Sequence, residues 1–191
     1  MNYYDKAKSI EQNAIKSIAP LREKIFINQC VKEISQKQIQ INFSTESWLI
    51  NLPQTCGIYL FWLNFSKRNN EISILKNEWE TAKGKVKFTP RFNNTRAKKM
   101  AASLGDGADI PFYLGKTEKM NFRIKEHIFL EAKSGTYALK LNAMREANKK
   151  IIGLEFGVSY LTFPFDKKSM FLLEIIESAL RDALNPVVGR Q

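Results

Sequence analysis

The run Gly57–Leu63 (GIYLFWL) restricts the fold more than any other segment, because its residues carry no charge and little polarity. A short apolar run rich in aromatic and β-branched residues is typical of a strand that is buried on both faces of a sheet. Two further runs, Ile110–Leu114 and Leu154–Phe163, have the length and composition of strands. The sequence therefore predicts a small three-stranded central sheet.

Apolar residues at helical spacing predict the elements that flank this sheet. Helices are expected at 3–18, 21–37, 117–133, 136–149 and about 167–184, with Asp166 capping the last. A short strand is expected at 39–43, a hairpin near Gly84 and a short helix at 95–104. The predicted fold class is a mixed α/β (α+β) domain. Residues 1–50 would form an N-terminal helical region with a pair of helices, and residues 51–191 the main domain with an insertion at 64–108.

Composition excludes several classes of protein. With 44% apolar and 26% charged residues among 191, the chain resembles a globular domain rather than a disordered or fibrous one. It has no run of about 18 apolar residues that would span a membrane, and its amphipathic N-terminus lacks the apolar core of a signal peptide. Two cysteines and one histidine are too few for a disulfide framework or a four-ligand Cys/His zinc site. A cytoplasmic protein without a membrane partner is expected.

Positive charge is concentrated in one part of the chain. The net charge is +11, and the segment Lys67–Lys99 holds ten basic residues against three acidic ones, which is +7 of that total. Such a segment is typical of a surface that contacts nucleic-acid phosphates, because each neutralised phosphate releases a counterion. Solubility alone, or a basic loop without fixed structure, is the alternative. The candidate DNA contacts are Lys83, Lys85, Lys87, Arg91, Arg96, Lys98 and Lys99.

Five polar residues stand in order along the predicted strands and helices. Tyr59 ends the tripeptide GIY on the first strand, and Tyr113 begins the tripeptide YLG on the second. Arg123 and His127 are four residues apart on a predicted helix, so their side chains share one face. Glu177 lies on the last predicted helix, nine residues before a proline.

This ordered set resembles the GIY-YIG nuclease superfamily over the last two-thirds of the chain. The first motif matches as Gly57-Ile58-Tyr59, and the second as Tyr113-Leu114-Gly115, with leucine in place of isoleucine. The match requires a large insertion, because 53 residues separate the two tyrosines. The resemblance implies a small α/β core. It places the family's helical arginine on Arg123, its frequent histidine on His127 and its metal-binding glutamate on Glu177.

The resemblance implies a metal-dependent DNA endonuclease. Glu177 would bind one Mg²⁺ (or Mn²⁺), Arg123 would hold a phosphate, Tyr59 would accept the proton of the attacking water, and Tyr113 and His127 would complete the network. A phenol with a pKa of about 10 is a poor base at neutral pH, so nearby cations must favour its phenolate. The size of the chain resembles the restriction-endonuclease branch, which implies cutting of short sites in duplex DNA and leaves a homodimer open.

Some assignments stay open at this point. Lys116 is either a phosphate contact or a solvated lysine at a strand end, and Glu174 competes with Glu177, although the spacing to the proline favours Glu177. Many family members carry an asparagine three residues after that proline, where this chain has Gly189; Asn185 is a substitute. This departure favours the alternative of a non-catalytic nucleic-acid-binding protein. In a third interpretation, an unrelated basic interaction protein, the motif side chains would not converge.

Overall fold

A computed structural model describes residues 3–64, 72–103 and 109–189. The sequence also predicts a turn at Gly105-Asp106-Gly107. This turn and two basic residues of the charged segment, Lys67 and Arg68, lie outside the described residues. Within those ranges the protein is α+β, as the sequence predicts, with helices on both faces of one antiparallel sheet.

The sheet is built from strands β1 (Ile39–Gln40), β2 (Gly57–Asn64), β3 (Asp109–Thr117) and β4 (Glu155–Thr162). Their spatial order is β1-β4-β2-β3, and every neighbouring pair is antiparallel. In the described part of the chain the sheet thus has one strand more than the expected three. The fourth strand, β1, lies within the short strand expected at 39–43, and it pairs with the edge of β4 over only two residues. The longest apolar run, β2, lies between β3 and β4.

Eight α-helices occur in the described ranges. They are α1 (Tyr3–Ile18), α2 (Lys24–Gln36), α3 (Ile72–Lys83), α4 (Asn94–Ser103), α5 (Met120–Phe129), α6 (Leu141–Ala147), α7 (Lys149–Ile152) and α8 (Met170–Leu184). None of these helices is both long enough and apolar enough to cross a bilayer.

The side chains of β2 alternate between two hydrophobic clusters, one on each face of the sheet. Tyr59 and Phe61 belong to the cluster that contains buried residues of α3, α5 and α6, which we call the α5-side cluster. Ile58 and Leu60 belong to the cluster that contains buried residues of α2 and α8, the α8-side cluster. Because both faces of β2 are covered, apolar residues occupy both, and the sequence shows no polar alternation.

The hairpin expected near Gly84 is wrong. Residues 72–83 form α3, whose buried face carries Ile72, Leu75 and Trp79 at helical spacing. The helix ends at Lys83, and the N–H of the following Gly84 still donates to the Glu80 carbonyl at 3.1 Å. Burial of this apolar stripe outweighs the turn signal of the glycine and its neighbouring lysines.

The two helices expected at 117–133 and 136–149 are shorter than the sequence predicts. Helix α5 ends at Phe129, and α6 begins only at Leu141. Lys140 precedes α6 with φ +53°, a left-handed conformation that stops the helix from extending backwards. The loop between the two helices returns the chain towards the buried face of α5, where the candidate site lies.

Candidate active site

A buried tyrosine–histidine pair lies at the centre of the site. Tyr59 projects from β2 and His127 from α5, and the Tyr59 Oη lies 2.7 Å from His127 Nε2. The two residues are 1% and 0% exposed. His127 reaches this position because it shares the buried face of α5 with Met120, Ile124 and Ile128, which pack against the sheet.

The loop after α5 fixes the protonation of His127. The backbone N–H of Leu139 donates to His127 Nδ1 at 2.9 Å. Because a backbone N–H can only donate, Nδ1 carries no proton, and we assign the neutral tautomer with the proton on Nε2. Burial, and secondly the positive charge of Arg123, hold the pKa of His127 well below its ordinary 6.5. His127 is therefore a neutral donor to the Tyr59 oxygen rather than a general base.

The second motif lies on β3, the strand next to Tyr59 on β2. Gly115 is paired with Tyr59, and Tyr113 with Phe61. A Cβ at position 115 would overlap the Tyr59 hydroxyl and ring, so only glycine leaves room for the phenol. The ring of Tyr113 stacks on Tyr59 with centroids 6.4 Å apart, and lies 4.9 Å from the His127 ring. The two tyrosines and the histidine thus form one aromatic group.

Arg123 supplies the positive charge beside the phenols. Its Nη1 donates to Glu126 at 2.6 Å, and its Nη2 donates to the Tyr137 carbonyl at 2.7 Å. Burial raises the pKa of Tyr59 well above 10, and the neighbouring Tyr113 adds to this; the charge and hydrogen bonding of Arg123 act in the opposite direction. Burial likewise raises the pKa of Tyr113. Both phenols are therefore protonated at neutral pH.

The candidate metal ligand lies on the other side of β3. Glu177, on α8, is 8% exposed. Its Oε2 accepts from Lys116 Nζ at 3.2 Å, and its Oε1 is bound by Arg181, one turn further along the helix. Lys116 Nζ also lies 3.2 Å from the exposed Glu174, so both candidate carboxylates reach the same ammonium group. The negative charge of Glu177 adds to the rise that burial and Tyr113 cause in the pKa of Tyr59.

The residues present fit a divalent ion held by one carboxylate. Among the described residues, no group of three or more His, Cys, Asp or Glu side chains is placed to hold a metal. Mg²⁺ commonly takes only one or two protein carboxylates and keeps several waters. Each oxygen of Glu177 retains a second lone pair beyond its bond to Lys116 or Arg181. The donor chemistry suits the ion, while the two cationic neighbours compete with it.

One group of the predicted DNA contacts adjoins this site. Residues 91–93 run beside 187–189, with a bridge between Phe92 and Val188, and Val188 in turn pairs with Tyr113. The N–H of Gly189 donates to the Arg91 carbonyl at 3.0 Å. The start of the segment that carries Arg91, Arg96, Lys98 and Lys99 is therefore joined to the Tyr113 edge of the sheet.

The other group of predicted DNA contacts has protein partners. Lys85 Nζ donates to the carbonyl at the end of α6, at 3.1 Å. Lys83 lies 3.9 Å from Glu80 in an ion pair on α3. Lys87 is exposed, and its backbone carbonyl accepts from Lys140 Nζ at 2.7 Å. Nothing in these contacts joins Lys83, Lys85 and Lys87 to the tyrosines.

The two positions left open near the C-terminus differ in their surroundings. Gly189 lies against the Tyr113 ring with φ +127°, a conformation that an asparagine would adopt only with strain. Asn185 ends α8 in a left-handed conformation and lines a pocket together with Arg96. Neither residue supplies a side chain that bonds to Tyr59.

Sequence reasoning missed two residues of the site. Arg181 stands four residues after Glu177, and this spacing on a helix is a readable signal for an ion pair. The Leu139 N–H has no such signal, because any residue carries that group and only the path of the loop brings it to His127.

Comparison of the chain with protein-family models, with curated proteins and with solved structures finds no match. A functional conclusion therefore depends on the side chains themselves. Tyr59, Tyr113, Arg123 and His127 are brought together on one face of β3, and Lys116 and Glu177 on the other.

Proposed function

We propose that this protein is a metal-dependent endonuclease of the GIY-YIG type that hydrolyses phosphodiester bonds in duplex DNA. One observation carries the proposal: the motif residues of β2, β3 and α5, selected by their order in the sequence, form one cluster around Tyr59, and Glu177 on α8 is near enough for its charge to act on that phenol. An unrelated basic interaction protein has no reason to gather these residue types.

The cluster offers the functions that phosphodiester hydrolysis requires. Arg123 lies beside the tyrosines and Lys116 beside Glu177, and their charges suit the non-bridging oxygens of a phosphate. His127 donates its Nε2–H to Tyr59, which stabilises negative charge on that oxygen. Tyr59 is thus the position at which the proton of an attacking water is accepted, with Arg123 and His127 opposing the effect of burial.

Glu177 would hold the Mg²⁺ or Mn²⁺. When bound, such an ion polarises a phosphate oxygen and lowers the pKa of a coordinated water. Lys116 Nζ lies 3.2 Å from Glu177 Oε2, and it would exchange this carboxylate partner for a substrate phosphate. Cutting of short specific sites, with a homodimer acting on both strands, belongs to the same proposal.

A second candidate is a nucleic-acid-binding protein without turnover. The raised pKa of Tyr59 favours it, because a protonated phenol is not a base. The occupation of both Glu177 oxygens by Lys116 and Arg181 favours it as well.

Plasmid cleavage in Mg²⁺ and in EDTA separates the two candidates. Wild type should cut only in Mg²⁺. Glu177→Gln should abolish cutting, because it removes the charge that a hard cation requires, while DNA binding persists or tightens. Glu174→Gln is the matched control: it removes the same charge from the other partner of Lys116, but from an exposed side chain, and should still cut.

Each other outcome has one meaning. Binding without cutting by wild type, in Mg²⁺ and in Mn²⁺, would support the second candidate. Normal cutting by Glu177→Gln would remove this residue from the metal site, and loss of cutting by Glu174→Gln alone would move the metal ligand one helical turn along α8.

A further inference from the structure

A pocket beside the candidate active site is lined almost entirely by polar side chains. It lies between the start of α4 and the end of α8 and has a volume of about 490 Å³. Its lining residues are Asn93, Thr95, Arg96, Lys99, Asp182 and Asn185. The bridges that join 91–93 to 187–189 and 187–189 to Tyr113 place this pocket along the edge of the sheet that carries Tyr113.

Arg96 is incompletely neutralised in this pocket. Only 14% of its side chain is exposed, and within the described part of the chain its Nη1 is buried without a hydrogen-bond partner. Its Nη2 lies 3.9 Å from Asp182, whose side chain is 80% exposed and therefore well solvated. Burial and the nearby charge of Arg181 lower the pKa of Arg96. A guanidinium with an unused donor, next to a second guanidinium and a lysine, suits an anion.

We propose that this pocket is a second phosphate subsite, which binds a non-scissile phosphate of the DNA backbone. This proposal rests on the proposed function. The subsite adds a contact that fixes the register of the duplex relative to the cleaved bond. Arg96 and Lys99 bind the phosphate oxygens, and Asn93 and Asn185 supply polar groups at the wall. Arg181 links the two sites, because it is bound to Glu177 and lies near Arg96.

Two adjacent lysines provide a matched comparison. Lys99 lines the pocket and Lys98 does not, although both are exposed on α4 and carry the same charge. Binding of a short duplex in EDTA is measured by fluorescence anisotropy over a range of salt. Lys99→Gln and Arg96→Gln should each weaken binding by about tenfold and reduce the salt slope by about one phosphate contact. Lys98→Gln should have a clearly smaller effect.

Methylphosphonate scanning of the duplex then locates the phosphate. Neutralising one non-scissile phosphate should weaken binding by wild type, but should have little further effect on Arg96→Gln, because the same contact is already lost. Melting temperatures check that Arg96→Gln still folds, and the exposed Lys99→Gln carries the test if it does not.

The outcomes distinguish the subsite from the function. Equal losses of affinity for Lys98→Gln and Lys99→Gln would overturn the subsite. So would the absence of any phosphate whose neutralisation weakens binding by wild type but has little further effect on Arg96→Gln or Lys99→Gln. In both cases a wild-type protein that cuts DNA keeps the nuclease proposal. A wild-type protein that binds no duplex would overturn both.

Discussion

The neutrality of His127 makes the stability of the protein depend on pH in a defined direction. The native state holds this residue uncharged, with its pKa well below 6.5. In the unfolded chain the same residue takes up a proton as the pH falls through about 6.5. Below that pH the unfolded state therefore binds one proton that the native state does not bind. The contribution is fully present above pH 6.5 and is lost as the pH falls towards the native pKa.

The size of the effect follows from the proton linkage. Each pH unit below about 6.5 removes up to about 1.4 kcal/mol, so His127 alone should lower the free energy of unfolding by at most about 2 kcal/mol between about pH 7.5 and pH 5. For a chain of this length that is roughly 4–8 °C in melting temperature. His127→Gln removes the titrating group, and the difference between wild type and variant isolates it, because the chain contains one histidine.

The assay is urea unfolding of wild type and His127→Gln at several pH values. Equal pH dependence of the two proteins would refute the assignment of a neutral His127. Where the variant fails to fold, ¹⁵N NMR of the single imidazole gives the same information in wild type: a proton on Nε2 and none on Nδ1, unchanged down to about pH 5. An imidazole that titrates near pH 6.5 would contradict the hydrogen bond from Leu139.

Three further predictions concern the phenol and its surroundings. Tyr59→Phe should lower the cleavage rate by about 10²–10⁴-fold with duplex affinity nearly unchanged, since only a hydroxyl is removed; near-normal cutting would make Tyr59 structural. Gly115→Ala should slow cleavage and lower the free energy of unfolding by about 1–3 kcal/mol, because its Cβ overlaps the Tyr59 ring. The plasmid assay measures the first effect and thermal melting the second, and no change in either would contradict the overlap. The raised pKa of Tyr59 predicts that the log of the cleavage rate increases with pH from about 6 to 9, whereas a plateau near pH 7 in a rate series would point to a base with a histidine-like pKa.

The parts of the fold with strong apolar patterns were predictable from the sequence. β2 has no charged residue, and α8 has a long apolar stripe that includes Leu173, Ile176 and Leu180. A strand was expected at 39–43, but its bounds were not predictable, because β1 forms only two residues of ladder, which is too short to impose an alternating pattern. Helix α3 was missed although its apolar spacing is readable, because Gly84 and its neighbouring lysines suggest a turn.

The candidate site likewise has a part that the sequence could predict and a part that it could not. The residue types and their order were sufficient to select Tyr59 and its partners, because each lies on an element with a predictable face. The relation of Lys116 to Glu174 and Glu177 was not predictable, since the long lysine side chain lies 3.2 Å from both carboxylates. The proton position on His127 depends on a loop whose path is decided by tertiary packing.

The register of β2 and β3 explains how the two motifs tolerate a separation of 53 residues. Asn64 at the end of β2 is paired with Asp109 at the start of β3, so the chain leaves and re-enters the sheet at neighbouring positions. The chain between these two residues therefore connects two adjacent antiparallel strands, as the loop of a β-hairpin does. Lengthening such a loop from a few residues to the 44 between these positions costs only about 2 kcal/mol of closure entropy. Within this insertion, burial of Leu75 and Trp79 on α3 offsets that cost. The pairing of Tyr59 with Gly115, on which the room for the phenol depends, is set by the strands alone, so the long insertion does not count against the two tyrosines forming one site.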